Sequence, residues 1–95
     1  METPKIKYFS FNDSLFVTGD SPVVHSISAA IGRKGTDGYI SNDGSGDLSF
    51  AIMSNDAYGS DILLKPGDIH LLSGVSIGKI QVTWIADTSY RVYCL

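Results

Sequence analysis

The sequence predicts an all-β domain: an antiparallel β-sandwich, jelly-roll-like, of eight or nine short strands. Three observations carry that prediction. Apolar residues recur at every second position through most of the chain, the period of a half-buried strand. β-branched and aromatic residues fill those runs, as a pleated surface favours. Clusters of Gly, Pro, Asn and Asp interrupt them about every 8–12 residues, the turn spacing of a sandwich or barrel rather than an open sheet. Nowhere do apolar residues repeat at helical spacing for three turns, so no helix is expected. The 95 residues make one domain, 1–95. A chain of that size buries about 60–70% of its unfolded surface, enough for a single core.

Taken in order, residues 5–11, "KIKYFSF", read as a first strand. Residues 1–10 read equally as an extended arm that orders on a partner. A second strand at 14–18 ends at "TGDSP". A third, 23–32, alternates Val23, His25, Ile27, Ala29 and Ile31 against Val24, Ser26, Ser28 and Ala30. After "KGTDG" come strands at 38–41 and 47–53, the latter setting Leu48, Phe50 and Ile52 against Ser49, Ala51 and Met53. "KPGD", Lys65 to Asp68, has Pro second and Gly third, the signature of a type II turn. It is expected to join strands 61–64 and 68–72 as a hairpin. Strand 76–85 sets Ile80, Val82 and Trp84 against Gln81, Thr83 and Ile85, and strand 89–94 sets Tyr90, Val92 and Cys94 against Arg91 and Tyr93. The expected core is Phe50, Ile52, Ile62, Leu64, Leu71, Ile80, Val82, Trp84 and Val92.

Five apolar residues fall on the polar side of this alternation: Leu63, Leu72, Ile85, Tyr93 and Leu95. Either loops cover them or they form a subunit interface, which would add core that a short chain lacks. The interface reading places Leu72, Ile85, Tyr93 and Leu95 at the contact.

Charge and composition exclude several classes. The net charge is −3, and of seven Lys and Arg residues only Arg33 and Lys34 are adjacent. A nucleic-acid surface concentrates positive charge on one face, so no nucleic-acid partner is expected. No apolar run reaches the ~18–20 residues of a membrane span. "METPKIKYFSF" lacks the apolar region of a signal peptide, so the chain is expected to be made in a cytoplasm and not secreted. The single cysteine, Cys94, cannot form an intrachain disulfide and reads as a small buried hydrophobe.

No constellation of catalytic residues emerges. His25 and His70 have no neighbouring Cys or Glu, and the one Glu is Glu2; zinc needs three or four ligands. "GSG" at Gly44–Gly46 lacks the frame of a nucleophile elbow. The expectation is a protein that is not an enzyme and carries no cofactor. "SNDGSGD" gives Asp43, Ser45 and Asp47 the alternating oxygens of a calcium loop. An EF-hand would need Gly and Glu where Leu48 and Ser54 stand. The loop therefore reads first as a turn, with those three residues as a weak cation candidate. A related stretch, "SNDAYGSD" at Ser54–Asp61, reads as a second turn. A carbohydrate-binding module is the alternative function, with Tyr39, Tyr58 and Tyr93 as stacking surfaces and Asn42 or Asn55 nearby in sequence.

"GDLSFAIM", "DILLKPGDIHLL", "VSIGKIQV" and "YRVYCL", spanning Gly46 to Leu95, carry a resemblance. Together they are similar to the small β-sandwich virion proteins of tailed bacteriophages. The resemblance implies a capsid decoration (cement) protein or a head or tail accessory subunit. Such a protein would assemble as a homo-oligomer, a trimer foremost, and attach to the major capsid or another virion protein. It assigns no binding residues.

Overall fold

The computed structural model describes residues 8–13, 22–86 and 88–95. Among these, eight strands and one short helix follow in order. They are β1 Phe9–Asp13, β2 Val23–Ser26, α1 Ile27–Ile31, β3 Gly35–Asn42, β4 Leu48–Met53, β5 Ile62–Leu64, β6 Ile69–Ile77, β7 Lys79–Trp84 and β8 Tyr90–Cys94. The expected strand 14–18 and residues 1–7 of the expected arm lie outside the described residues.

The strands build two four-stranded antiparallel sheets, a first ordered β1-β8-β3-β6 and a second ordered β2-β7-β4-β5. The pairs β1·β8, β2·β7, β3·β6 and β4·β5 are those of one long ribbon folded back at its β4–β5 tip. Wrapping that ribbon brings β8 against β3 and β7 against β4. The result is a jelly roll, the form of sandwich that a period of two alone leaves open.

The core lies between the sheets. From the second sheet come Leu48, Phe50, Leu64, Ile80, Val82 and Trp84, and from the first Ile40, Leu72, Ile77, Tyr90, Val92 and Cys94. Ile27 and Ile31 of α1 close one side. Burying each large aliphatic or aromatic side chain contributes about 1.5–3 kcal/mol before entropy is counted. Expected core residues Ile52 and Ile62 pack at its margin, partly buried.

Four expectations need correction. The run 23–32 is not one strand; it turns helical at Ile27, which α1 buries together with Ile31. Positions i and i+4 share a face in both periods, so alternation could not separate strand from helix there. Helix-favouring Ala29 and Ala30 sit exposed, and the Gly32 N–H closes the turn on the Ser28 carbonyl at 2.9 Å. "KPGD" does form its turn, with Asp68 N–H donating to Lys65 O at 2.9 Å and Gly67 at φ 86°. It does not make a hairpin, because β5 pairs with β4 in one sheet and β6 with β3 in the other. Turn residues specify a reversal, not which sheet each arm joins.

The third correction is at 76–85, where the chain changes sheets at Gly78. There Gly78 N–H donates to Met53 O at 2.7 Å while Gly78 O accepts from Ser28 N–H at 3.0 Å. The fourth is the facing of β6. Leu71, expected inside, is 75% exposed; Leu72, expected outside, is 4% exposed and belongs to the core. With two adjacent leucines, alternation is silent on which one points in. Beyond Ser73 the strand bulges: from Ser73 to Ile77 it takes four steps where β3 takes two from Asp37 to Gly35.

Candidate functional site

The outer face of the first sheet gathers aromatic and aliphatic side chains in one row. Tyr39 on β3 lies directly opposite Tyr93 on β8 and, on its other side, opposite Leu71 on β6. The Tyr39 and Tyr93 rings stack with centroids 6.0 Å apart and planes 17° from parallel. Tyr8, just before β1, stacks on Tyr93 at 5.6 Å. The row therefore crosses the sheet from edge to edge, with Tyr8 59% exposed and Ile69 and Leu71 at its far end. Beside it, Arg91 Nε and Nη2 donate to the two oxygens of Asp43 at 2.7 and 3.2 Å. An exposed ion pair of this kind adds little stability, but it fixes the flank of the row.

The expected sites do not converge on this face as a set. Of the interface residues, Tyr93 is in the row and Leu95 ends the same strand region, partly exposed. Ile85 is exposed on the other side of the molecule, where with Leu63, Asp47 and Trp84 it lines an open depression of about 430 Å³. Leu72 is inside the core and unavailable to a partner.

Of the sugar-contact residues, Tyr39 is in the row, whereas Tyr58 bridges to Met53 beside the second sheet. Asn55 accepts a hydrogen bond from Lys34 Nζ at 2.9 Å on the surface. Asn42 is fully buried and cannot touch a ligand. Its amide donates to Gly46 O at 2.7 Å and Leu64 O at 2.9 Å, while its Oδ1 accepts from Gly44 N–H at 3.1 Å and Thr88 Oγ1 at 2.7 Å.

The same network decides the loop "SNDGSGD". Asp43 and Gly44 N–H groups both donate to Ser89 O, at 2.8 and 3.0 Å. A Cβ on Gly44 would sit 2.3 Å from the Ser89 nitrogen, so only glycine lets the loop press so close. The Asp43 carboxylate is engaged by Arg91 and by Ser41 Oγ at 3.2 Å. Ser45 and Asp47 are exposed. Among the described residues no group of three His, Cys, Asp or Glu side chains is placed to hold a metal ion.

Titratable groups in the interior are structural in their surroundings. His25 Nε2 lies 2.8 Å from the Tyr90 hydroxyl, a hydrogen bond spanning the two sheets. Phe9, Phe11 and Tyr90 surround its ring, the Phe11 centroid at 4.3 Å. Burial lowers its pKa to about 4. Burial likewise pushes the Cys94 thiol up to about 11, which keeps it protonated and unreactive. His70 sets its ring edge-on to Phe50 at 5.3 Å.

The row of tyrosines was only half visible in the sequence. Tyr39 and Tyr93 stand 54 positions apart in the chain and become neighbours only through the β3·β8 pairing. Among the described residues, no helix is long and apolar enough to cross a membrane. Compared with known proteins, the chain matches no family model, no curated protein and no solved structure.

Proposed function

We propose that this chain is a non-enzymatic structural subunit of a virion, a capsid decoration protein or a head or tail accessory. It acts through its surfaces, by self-association and by attachment to a capsid or other virion protein. The observation that carries the reading is the row Tyr8–Tyr93–Tyr39–Leu71 across an outer sheet face. Large apolar side chains collected on one outer face favour a partner over water. The jelly roll is common among capsid proteins, which supports the reading by analogy alone. Peptide mass spectrometry of gradient-purified virions from the source of the sequence tests it. Particles should carry the chain at many copies each; its consistent absence from intact particles would count against a virion role.

The same row favours a second reading, carbohydrate binding. Tyrosine faces present flat apolar area with a hydroxyl at the rim, the chemistry on which sugar rings stack. This reading now rests on Tyr39, Tyr93 and Tyr8 rather than on Asn42. A glycan array probed with the intact chain and with Tyr39→Ala discriminates: binding that the substitution abolishes supports it, and a blank array argues against it.

A further inference from the structure

Among the described residues no strand pairs with the outer edge of β6, and the hydrogen-bond alternation shows which groups it presents. Asp37 and Leu95 exchange both backbone bonds, at 2.8 and 3.3 Å, so Asp37, Tyr39 and Ser41 turn their peptide groups toward β8. Gly38, Ile40 and Asn42 turn theirs toward β6, and Asn42 N–H donates to Asp68 O at 2.9 Å. Their partners on β6 are Leu72, His70 and Asp68. Ile69, Leu71 and Ser73 therefore aim their N–H and C=O groups out of the sheet.

Proteins ordinarily blunt such an edge with a charge, a proline, a bulge or a very short strand. β5 and β2, the edges of the second sheet, are only three and four residues long. The stretch Ile69–Ser73 has neither charge nor proline, and the bulge starts only at Gly74, φ 64°. Ile69 and Leu71 are 61% and 75% exposed beside the open peptide groups.

We infer that this edge pairs with the same edge of a second copy of the chain, antiparallel, about a two-fold axis at Leu71. The inference rests on the reading of the chain as a self-associating subunit. Charge argues for a copy as the occupant. A two-fold contact sets each stretch against its own image, so charged stretches repel themselves. The chain carries 17 charged residues and a net −3, yet Ile69–Ser73 has none. The register is also self-complementary. Leu71 meets its own image and Ile69 meets Ser73, so the three outward-facing residues all fall at hydrogen-bonded positions. The two first sheets become one, and the tyrosine rows of both copies join through the paired Leu71 side chains. One strand edge contributes a contact at the low end of the size range, under about 1,200 Å², so the dimer dissociates on dilution.

Sedimentation velocity across micromolar to millimolar concentrations, together with amide exchange on the same samples, tests this. The mass should rise from one chain to two. Exchange at Ile69, Leu71 and Ser73 should slow as it does, while His70 and Leu72 are slow throughout. Leu71→Lys, which sets two ammonium groups across the axis, should give one chain at every concentration, with the melting temperature that the unaltered protein has when dilute. A single chain at all concentrations in the unaltered protein overturns the inference. So does an oligomer that survives Leu71→Lys while those three amides stay fast; self-association would then stand on another surface. The virion measurement fails or succeeds separately from both.

Discussion

Asn42 engages both amide hydrogens and both carbonyl lone pairs, and its four partners lie on three stretches of chain. Through it the 43–47 loop, the end of β5 and the segment at Thr88 are fastened together. Truncation would leave Leu64 O facing a small void, while Thr88 Oγ1 can still donate to Gly46 O at 3.0 Å and Gly44 N–H to Ser89 O at 3.0 Å. Asn42→Ala should cost about 1–3 kcal/mol in urea unfolding, the range for one orphaned buried polar group. His25 offers a second test. Its folded pKa of about 4 lies below the ordinary 6.5, so the unfolded chain binds the proton first as the solution acidifies. This contribution is complete above pH 6.5 and drains away as pH falls toward 4, to a total of about 3 kcal/mol. Denaturation midpoints measured across that window should show the slope, and His25→Phe should remove the part due to this residue.

The elements whose alternation is clean were fully legible. β7 and β8 bury the faces that their sequences indicate, because each inward position is apolar; β4 does so at Leu48 and Phe50 but also buries Ala51 and leaves Ile52 only partly covered. Legibility fails where both phases are apolar or both periods fit. β6 has Leu71-Leu72 in the first situation, and α1 has Ile27 and Ile31 in the second. The site was less readable than the fold, since its row depends on which strands become neighbours. The facing of β6 has a direct check. Leu72→Ala should destabilise by about 2–5 kcal/mol, as cavity-forming core truncations do. Leu71→Ala should stay within about 0.5 kcal/mol, as at an ordinary surface position. A larger cost at Leu71 than at Leu72 in thermal unfolding would mean that the strand is turned the other way.

At the scale of the whole molecule, the ribbon pairing sets the order in which contacts can form. β8, late in the chain, is an inner strand of the first sheet, flanked by β1 on one side and β3 on the other. Until β8 arrives, β1 has no described strand to pair with. Such distant pairings make folding slow, on the millisecond-to-second scale of β-rich domains. Stopped-flow refolding followed by Trp84 fluorescence should show that scale, and microsecond folding would contradict the pairing. During synthesis the delay is longer still. At about 5–20 residues per second, β1 waits on the order of 4–16 s for its partner to be translated. For that interval Phe9 and Phe11, which end beside the buried His25, stay without their sheet. The nascent chain is thus a client for whatever shields apolar segments at the ribosome, and the native domain assembles only after β8 has been made.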